Sequence, residues 1–329
     1  MALSRRQFIA GSALGAAALM AQRGWSASGS SPQAPSVTFA HLTDMHIKPT
    51  GAGPEGLVQC LRHVRAHPAK PTFIINGGDA IMSALGASEQ STRDQWIQFQ
   101  SIIKAECPLP LWHVIGNHDC WGWQRTKAGT TGHEPLYGKN WPLKELGLEC
   151  PYYTRDQGGW RFIILDSVQE RGDGGYKPVL DEEQFQWLTR ILASTAPTQP
   201  VILVSHVPIL SITPLFFRED IVQNYQFQIP GALMHQDVQR IASLLRNHPQ
   251  VKLCISGHSH LVDDVVFEGR TYLCNGAVSG SWWHGDHKGC PPGYALIQLW
   301  PDGSFRREYV TFGWKPPTAR HPSPTPKAG

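Results

Sequence analysis

The chain has 329 residues, with 29 Lys and Arg against 26 Asp and Glu, a formal charge of +3. Arg5, Arg6 and Arg23 supply all of that excess, because residues 1–28 hold no acidic side chain and no lysine. The remainder is neutral, which excludes a lasting basic footprint for nucleic acid, and seven cysteines without CxxC spacing exclude a zinc knuckle.

Ser4-Arg5-Arg6-Gln7-Phe8-Ile9 is followed by an Ala/Gly-rich apolar stretch to Ala21, then Arg23 and small residues at Ser26-Ala27-Ser28. This is the pattern of a twin-arginine export signal over residues 1–28. The apolar stretch is too short and too glycine-rich for a stable membrane span. The expected address is the periplasm or the exterior, reached already folded through the twin-arginine translocation machinery. An uncleaved, membrane-anchored form is the alternative. Residues 29–36 read as a Ser/Pro linker, 37–314 as one catalytic domain large enough for a substantial core, and 315–329 as a Pro-rich flexible tail.

Past the linker, short apolar runs each end in a polar cluster. Residues 37–40 lead to Asp44-Met45-His46, and 72–75 to Gly77-Gly78-Asp79. Residues 111–115 lead to Gly116-Asn117-His118-Asp119, 201–204 to Ser205-His206, and 253–255 to Gly257-His258-Ser259-His260. The runs are rich in β-branched and aromatic residues and read as buried strands. Helical patterns fall between them at 56–66, 92–105, 181–192 and 236–247. Such alternation predicts an α/β fold, with ligands at the carboxyl ends of strands. Asp, His and Asn converging there make a ligand set for two metal ions. His113 lies inside its strand and reads as packing, His41 carries no assigned role, and Asp166 reads as a turn cap.

The order of these clusters resembles the calcineurin-like metallophosphoesterases, whose pattern is D-x-H, GD, GNH[DE], a lone H, then GHxH. The match spans residues 37 to about 311, and within the family it is similar to the class III cyclic-nucleotide phosphodiesterases. The resemblance implies a four-layer sandwich of two mixed β-sheets flanked by helices. It implies that Asp44, His46 and His260 hold one metal, that Asn117, His206 and His258 hold the second, and that Asp79 bridges them. A carboxylate between divalent ions only ~3.5–4 Å apart reduces their repulsion. The implied reaction is hydrolysis of a small phosphate ester by a metal-bridged hydroxide, with His118 assisting the leaving group. The ligand set suits Mn, Fe, Zn or Ni without choosing among them.

Many relatives carry an acidic residue three positions after the bridging Asp. Here that position is Met82, which leaves the orienting group of His118 open; Asp119 adjoins it in sequence, but neighbours need not face each other. Met82 also argues against the ferric-tyrosinate centre of purple acid phosphatases. The chain has no room for the second domain of the periplasmic nucleotidases.

A phosphodiester is the favoured substrate. A phosphomonoesterase shares the metal site, and a catalytically silent metal-binding scaffold is the reading from another class. Trp121, Trp123, Tyr137, Trp141, Tyr152 and Tyr153 are expected mainly to pack loops onto the body. In the loop Gly280-Ser281-Trp282-Trp283-His284-Gly285, Trp283 and His284 are the residues expected to face the pocket as substrate contacts. A Cys120–Cys150 pairing is an arrangement to test, since the expected destination permits disulfides.

Overall fold

Alternate residues of the apolar runs go to different cores, and this period-two split builds two sheets. The structure, a computed structural model, describes residues 34–317. The expected export signal, residues 29–33 of the linker and residues 318–329 of the tail therefore lie outside the described residues. In chain order the strands are β1 (Val37–Leu42), β2 (Phe73–Asn76), β3 (Leu111–His113), β4 (Tyr153–Gln157), β5 (Trp160–Ile164), β6 (Gln169–Glu170), β7 (Tyr176–Lys177), β8 (Val201–Val204), β9 (Val222–Gln223), β10 (Gln226–Phe227), β11 (Val251–Ser256), β12 (Val262–Phe267), β13 (Arg270–Asn275), β14 (Gly293–Leu299) and β15 (Phe305–Thr311). The helices are α1 (Gly53–Ala66), α2 (Glu89–Glu106), α3 (Arg125–Ala128), α4 (Asn140–Leu146), α5 (Glu182–Ser194) and α6 (Val238–Arg246).

One sheet is ordered β15-β14-β1-β2-β3, the other β12-β13-β11-β8-β5-β4. In the first, β1, β2 and β3 run parallel, β14 runs antiparallel to β1, and β15 antiparallel to β14. In the second, β5, β8, β11 and β13 are parallel, with β4 and β12 antiparallel at the edges. Phe39, Phe73, Ile75, Phe162, Ile164, Ile202, Val204, Leu253 and Ile255 form the core between the sheets. Their strand neighbours point outward. Ala40, Leu42 and Ile74 pack with Leu57, Leu61, Trp96 and Phe99 of α1 and α2, while Ile163, Val201 and Leu203 pack with Leu188, Leu192, Ile241 and Leu245 of α5 and α6. The result is the α/β/β/α sandwich, with two mixed sheets flanked by helices.

Element ends follow local chemistry. Ser88 Oγ accepts from the N–H of Ser91 (3.2 Å) and starts α2 three residues before the predicted helix. Asp181 Oδ1 accepts from the N–H of Gln184 (2.8 Å) and caps α5. Pro54 lets α1 begin at Gly53, because the first helical turn needs no N–H there. Trp121, Trp123 and Trp141 are buried in the core beneath α2, as packing residues. His113 accepts from Asn76 Nδ2 at 3.2 Å. Asp166 caps its turn through the N–H of Val168 (3.3 Å) and also pairs with Lys139.

The proposed Cys120–Cys150 pairing is corrected. All seven cysteines are free, and Cys120 is buried with its thiol directed at the Gly116 carbonyl, 3.5 Å away. Among the described residues no helix is long and apolar enough to cross a membrane.

Candidate metal centre

The polar clusters lie on loops at the carboxyl ends of β1, β2, β3, β8 and β11, where the two sheets meet. The loops interlock through their backbones. Asp44 N–H donates to Gly78 O and His46 N–H to Asp79 O, each at 3.0 Å. Asp44, His46, Asp79, His258 and His260 all have positive φ, between 47° and 69°. Non-glycine residues seldom adopt that region, and a concentration of them marks a site whose geometry the surroundings impose. Glycines make the close approaches. A Cβ on Gly116 would stand 2.2 Å from Asp79 Oδ1, and one on Gly257 would stand 2.0 Å from Thr43 Oγ1.

Three groups of donor atoms result, each within 4.8 Å of one another: Asp44, His46 and His260; His46, Asp79 and His118; and Asp79, His206 and His258. Asn117 joins the third, its Oδ1 lying 3.2 Å from His206 Nε2. Asp79 belongs to two groups, with Oδ2 3.3 Å from His206 Nε2 and 3.8 Å from His46 Nε2. All eight residues named as metal or catalytic candidates thus meet at one place.

The hydrogen bonds decide where the imidazole protons sit. His206 Nδ1 faces Gly77 O (2.9 Å), His260 Nδ1 faces Gly280 O (2.6 Å), and His258 Nε2 faces Ala232 O (3.0 Å). His46 Nδ1 faces Met82 O at 3.4 Å. A carbonyl only accepts, so each outer nitrogen carries the proton and the inner nitrogen points into the cluster. Two such inner nitrogens, His46 Nε2 and His260 Nε2, then confront each other at 3.1 Å. Beside them Asp44 Oδ1 is buried with no hydrogen-bond partner, although Oδ2 accepts from Thr43 Oγ1 (2.6 Å) and the His258 N–H (2.9 Å). Facing lone pairs and an orphaned carboxylate oxygen are unfavourable unless a cation lies between them. The donor set therefore fits a divalent metal.

Electrostatics agree. Burial lowers His46 to about 3 and His258 to about 4, so both rings are neutral, as ligands must be. Burial disfavours charge on Asp79 too, but His206 and His118 outweigh it and hold the carboxyl well below the ordinary range. Burial also opposes a charged His206, yet Asp79 prevails and raises that ring to about 10. The pocket thus draws positive charge.

His118 is half-buried, and its Nδ1–H donates to Met82 O at 2.8 Å. The orienting group that the sequence left open is this backbone carbonyl, so the side chain at position 82 does not enter. Asp119 faces away from the His118 ring. Its carboxylate accepts from the N–H groups of Asp79 (3.0 Å), Ala80 (2.9 Å), Ile81 (3.3 Å) and Gly116 (2.9 Å), and so fixes the loop that carries Asp79. Burial and the Asp79 charge push it up to about 7, against the pull of those N–H groups. His41 is buried beneath the site, where burial lowers it to about 3.

The expectation for Trp283 is corrected. Its ring is buried against Gly53 and Gly56 of α1, and its Nε1–H donates to Met45 O at 2.8 Å. His284 is solvent-exposed, its backbone N–H donating to Ser281 O at 2.8 Å. The rings that this loop places at the cluster are Trp282, 4.5 Å from His260 between centroids, and His287, 5.5 Å from His260. Adjacent tryptophans give no phase in the sequence, and the positive φ of both Trp282 and Trp283 sets which one turns inward. Tyr176 is another residue missed by sequence reasoning. Its hydroxyl lies 3.2 Å from His258 Nε2, brought there by the small β6–β7 hairpin, and no motif marks it.

Known proteins resemble this chain in sequence and in fold. The chain is 25% identical to a probable cyclic nucleotide phosphodiesterase of Synechococcus sp., over 83% of this chain and 91% of the relative. It is 26% identical to a 3',5'-cyclic-nucleotide phosphodiesterase of Nostoc sp., over 82% and 90%. Among solved structures, a dimetal phosphatase from Danio rerio superposes with a TM-score of 0.55 at 16% identity, covering 81% of this chain and 93% of that one. GAP50, the anchor in the inner membrane complex of Plasmodium, superposes with a TM-score of 0.50 at 17% identity, covering 84% and 85%. These structural likenesses speak to the fold. The sequence profile of the calcineurin-like phosphoesterases matches residues 37–262, a span that takes in all five motif loops. By that match, over the greater part of its length, the chain belongs to the calcineurin-like phosphoesterase family.

Proposed function

We propose that this phosphoesterase is a dinuclear metal-dependent phosphodiesterase. Asp44, His46 and His260 would hold one divalent cation, Asn117, His206 and His258 a second, and Asp79 both. Two such ions supply Lewis acidity toward a phosphate ester and make a coordinated water acidic enough to act as a nucleophile near neutral pH. The chain's own part is positional. Backbone carbonyls hold the protons of the His46, His258 and His260 imidazoles on their outer nitrogens, so those inner lone pairs are aimed before any ligand arrives, while Gly77 O orients the His206 ring beside Asp79. His118 keeps its Nδ1 proton on Met82 O, which turns Nε2 toward the reacting group. A proton on Nε2 passes to the leaving oxygen as the P–O bond breaks, and the ring returns to the neutral, carbonyl-bound tautomer.

The observation that carries this reading is the Asp79 carboxylate set between two donor groups, one on each side. The names of the cyanobacterial relatives favour a diester. The test is steady-state hydrolysis of bis-p-nitrophenyl phosphate against p-nitrophenyl phosphate, with protein stripped and reloaded with Mn. Diester preference, lost in Asp79→Asn, is expected. Monoester preference would move the reading to a phosphatase. Two bound metals with no turnover of either ester would favour the silent scaffold.

A further inference from the structure

Trp282 is a large aromatic side chain left 37% exposed at the rim of the metal centre. Its indole lies 4.5 Å from the His260 ring at an interplanar angle of 35°, 5.8 Å from His46 and 5.6 Å from His287. It is not loosely held. Trp283 is anchored beneath it, its N–H donating to Ser279 O, while the N–H of Ser281 donates to Gly285 O, both at 2.8 Å. Trp282 and Trp283 have φ of 49° and 69°. An indole kept part-exposed on a strained backbone, against two imidazoles of a reactive site, is a costly arrangement that packing alone does not require. The adjoining surface is apolar. Lys288, next to His287, donates to the carbonyls of Phe216 and Phe217, and those side chains are 60% and 50% exposed.

We propose that Trp282 is a stacking platform for an aromatic or heteroaromatic ring carried by the ester, which makes the substrate an aryl-type or base-bearing phosphodiester rather than an aliphatic one. This rests on the phosphoesterase reading of the same centre. A phosphoryl group held at the cluster carries its ester substituent one oxygen away. That is within reach of an indole in ring contact with two of the cluster's histidines. Stacking tolerates any flat π-face, so the platform selects a class of group rather than one compound.

The test is binding of phenylphosphonate and methylphosphonate to the full chain loaded with Mn, by calorimetry. The native protein should bind the phenyl compound about tenfold more tightly. Trp282→Ala should bring the two within about twofold, and Trp282→Phe should retain most of the preference. Equal weakening of both probes in Trp282→Ala would mean that the indole only shields His260, and would overturn the proposal. So would the absence of any phenyl preference in the native protein. Turnover of bis-p-nitrophenyl phosphate by the same preparation separates the two readings. Turnover without phenyl preference removes the platform and keeps the phosphoesterase, whereas phenyl preference without turnover leaves a ring-binding face at Trp282 but overturns the phosphodiesterase reading and, with it, the ester as the carrier of the ring.

Discussion

At the scale of single residues, the centre is defined by protons and backbone angles as much as by ligand identity. Five candidate ligands sit at positive φ, an arrangement costing about 1–3 kcal/mol each. The interlocked loops and the four N–H groups gathered by Asp119 compensate that strain. In the proposed mechanism His118 serves the leaving group rather than a metal, although its ring nitrogen also lies within 4.8 Å of ligand atoms of His46 and Asp79. His118→Asn should therefore lower kcat by about 10²–10⁴-fold while two metals remain bound per chain, as measured by metal analysis. Loss of a metal would make His118 a ligand instead, and unchanged turnover would remove it from the reaction. The ligand residue types were legible in the sequence because each closes an apolar run. The role of Met82 was not, because its side chain is irrelevant and its carbonyl belongs to any residue.

At the scale of elements, the loop of 279–285 and helix α1 are a single packed unit. Trp283 lies on the glycine face of α1, where a Cβ on Gly56 would come within 2.1 Å of its ring. Helix propensity alone makes Gly56→Ala stabilising by about 1 kcal/mol. Packing reverses the sign, because the indole is buried between α1 and Trp314 and held by its bond to Met45 O, with little room to retreat. We expect Gly56→Ala to destabilise the protein by about 1–3 kcal/mol, read from urea unfolding midpoints, and to weaken Mn binding through displacement of the Met45–His46 backbone. A stabilised variant would show that the loop moves independently of α1. The five strands that end in the motif loops and the helices α1, α2, α5 and α6 were legible from periodicity, whereas the short helices α3 and α4 and the β6–β7 hairpin were not. The phase of the Trp282-Trp283 pair was not, because period-two reasoning presumes extended backbone and both residues leave it.

At the scale of the whole molecule, two sheets share one core, and the carboxyl ends of their parallel strands deliver all five motif loops to a common edge. We infer that the chain is exported folded by the twin-arginine route, because Ser4-Arg5-Arg6 precedes a short, weakly apolar stretch. The cysteines suit that order of events, since all seven are free and folding leans on no disulfide. Replacing Arg5 and Arg6 together by lysine should trap the protein in the cytoplasm, as read by cell fractionation; unchanged export would discard that route. The sequence by itself determined the α/β class, the five strands that lead into the motif loops and the identity of the cluster residues. Each of these depends on local periodicity or on side-chain chemistry carried within a few residues. Only the tertiary structure decided which tryptophan meets the cluster, which carbonyls fix the histidine tautomers, and that Tyr176 reaches His258. Those depend on loop backbones whose φ angles are set by contacts between residues distant in the chain, such as Asp119 with the 79–81 loop and Trp283 with α1.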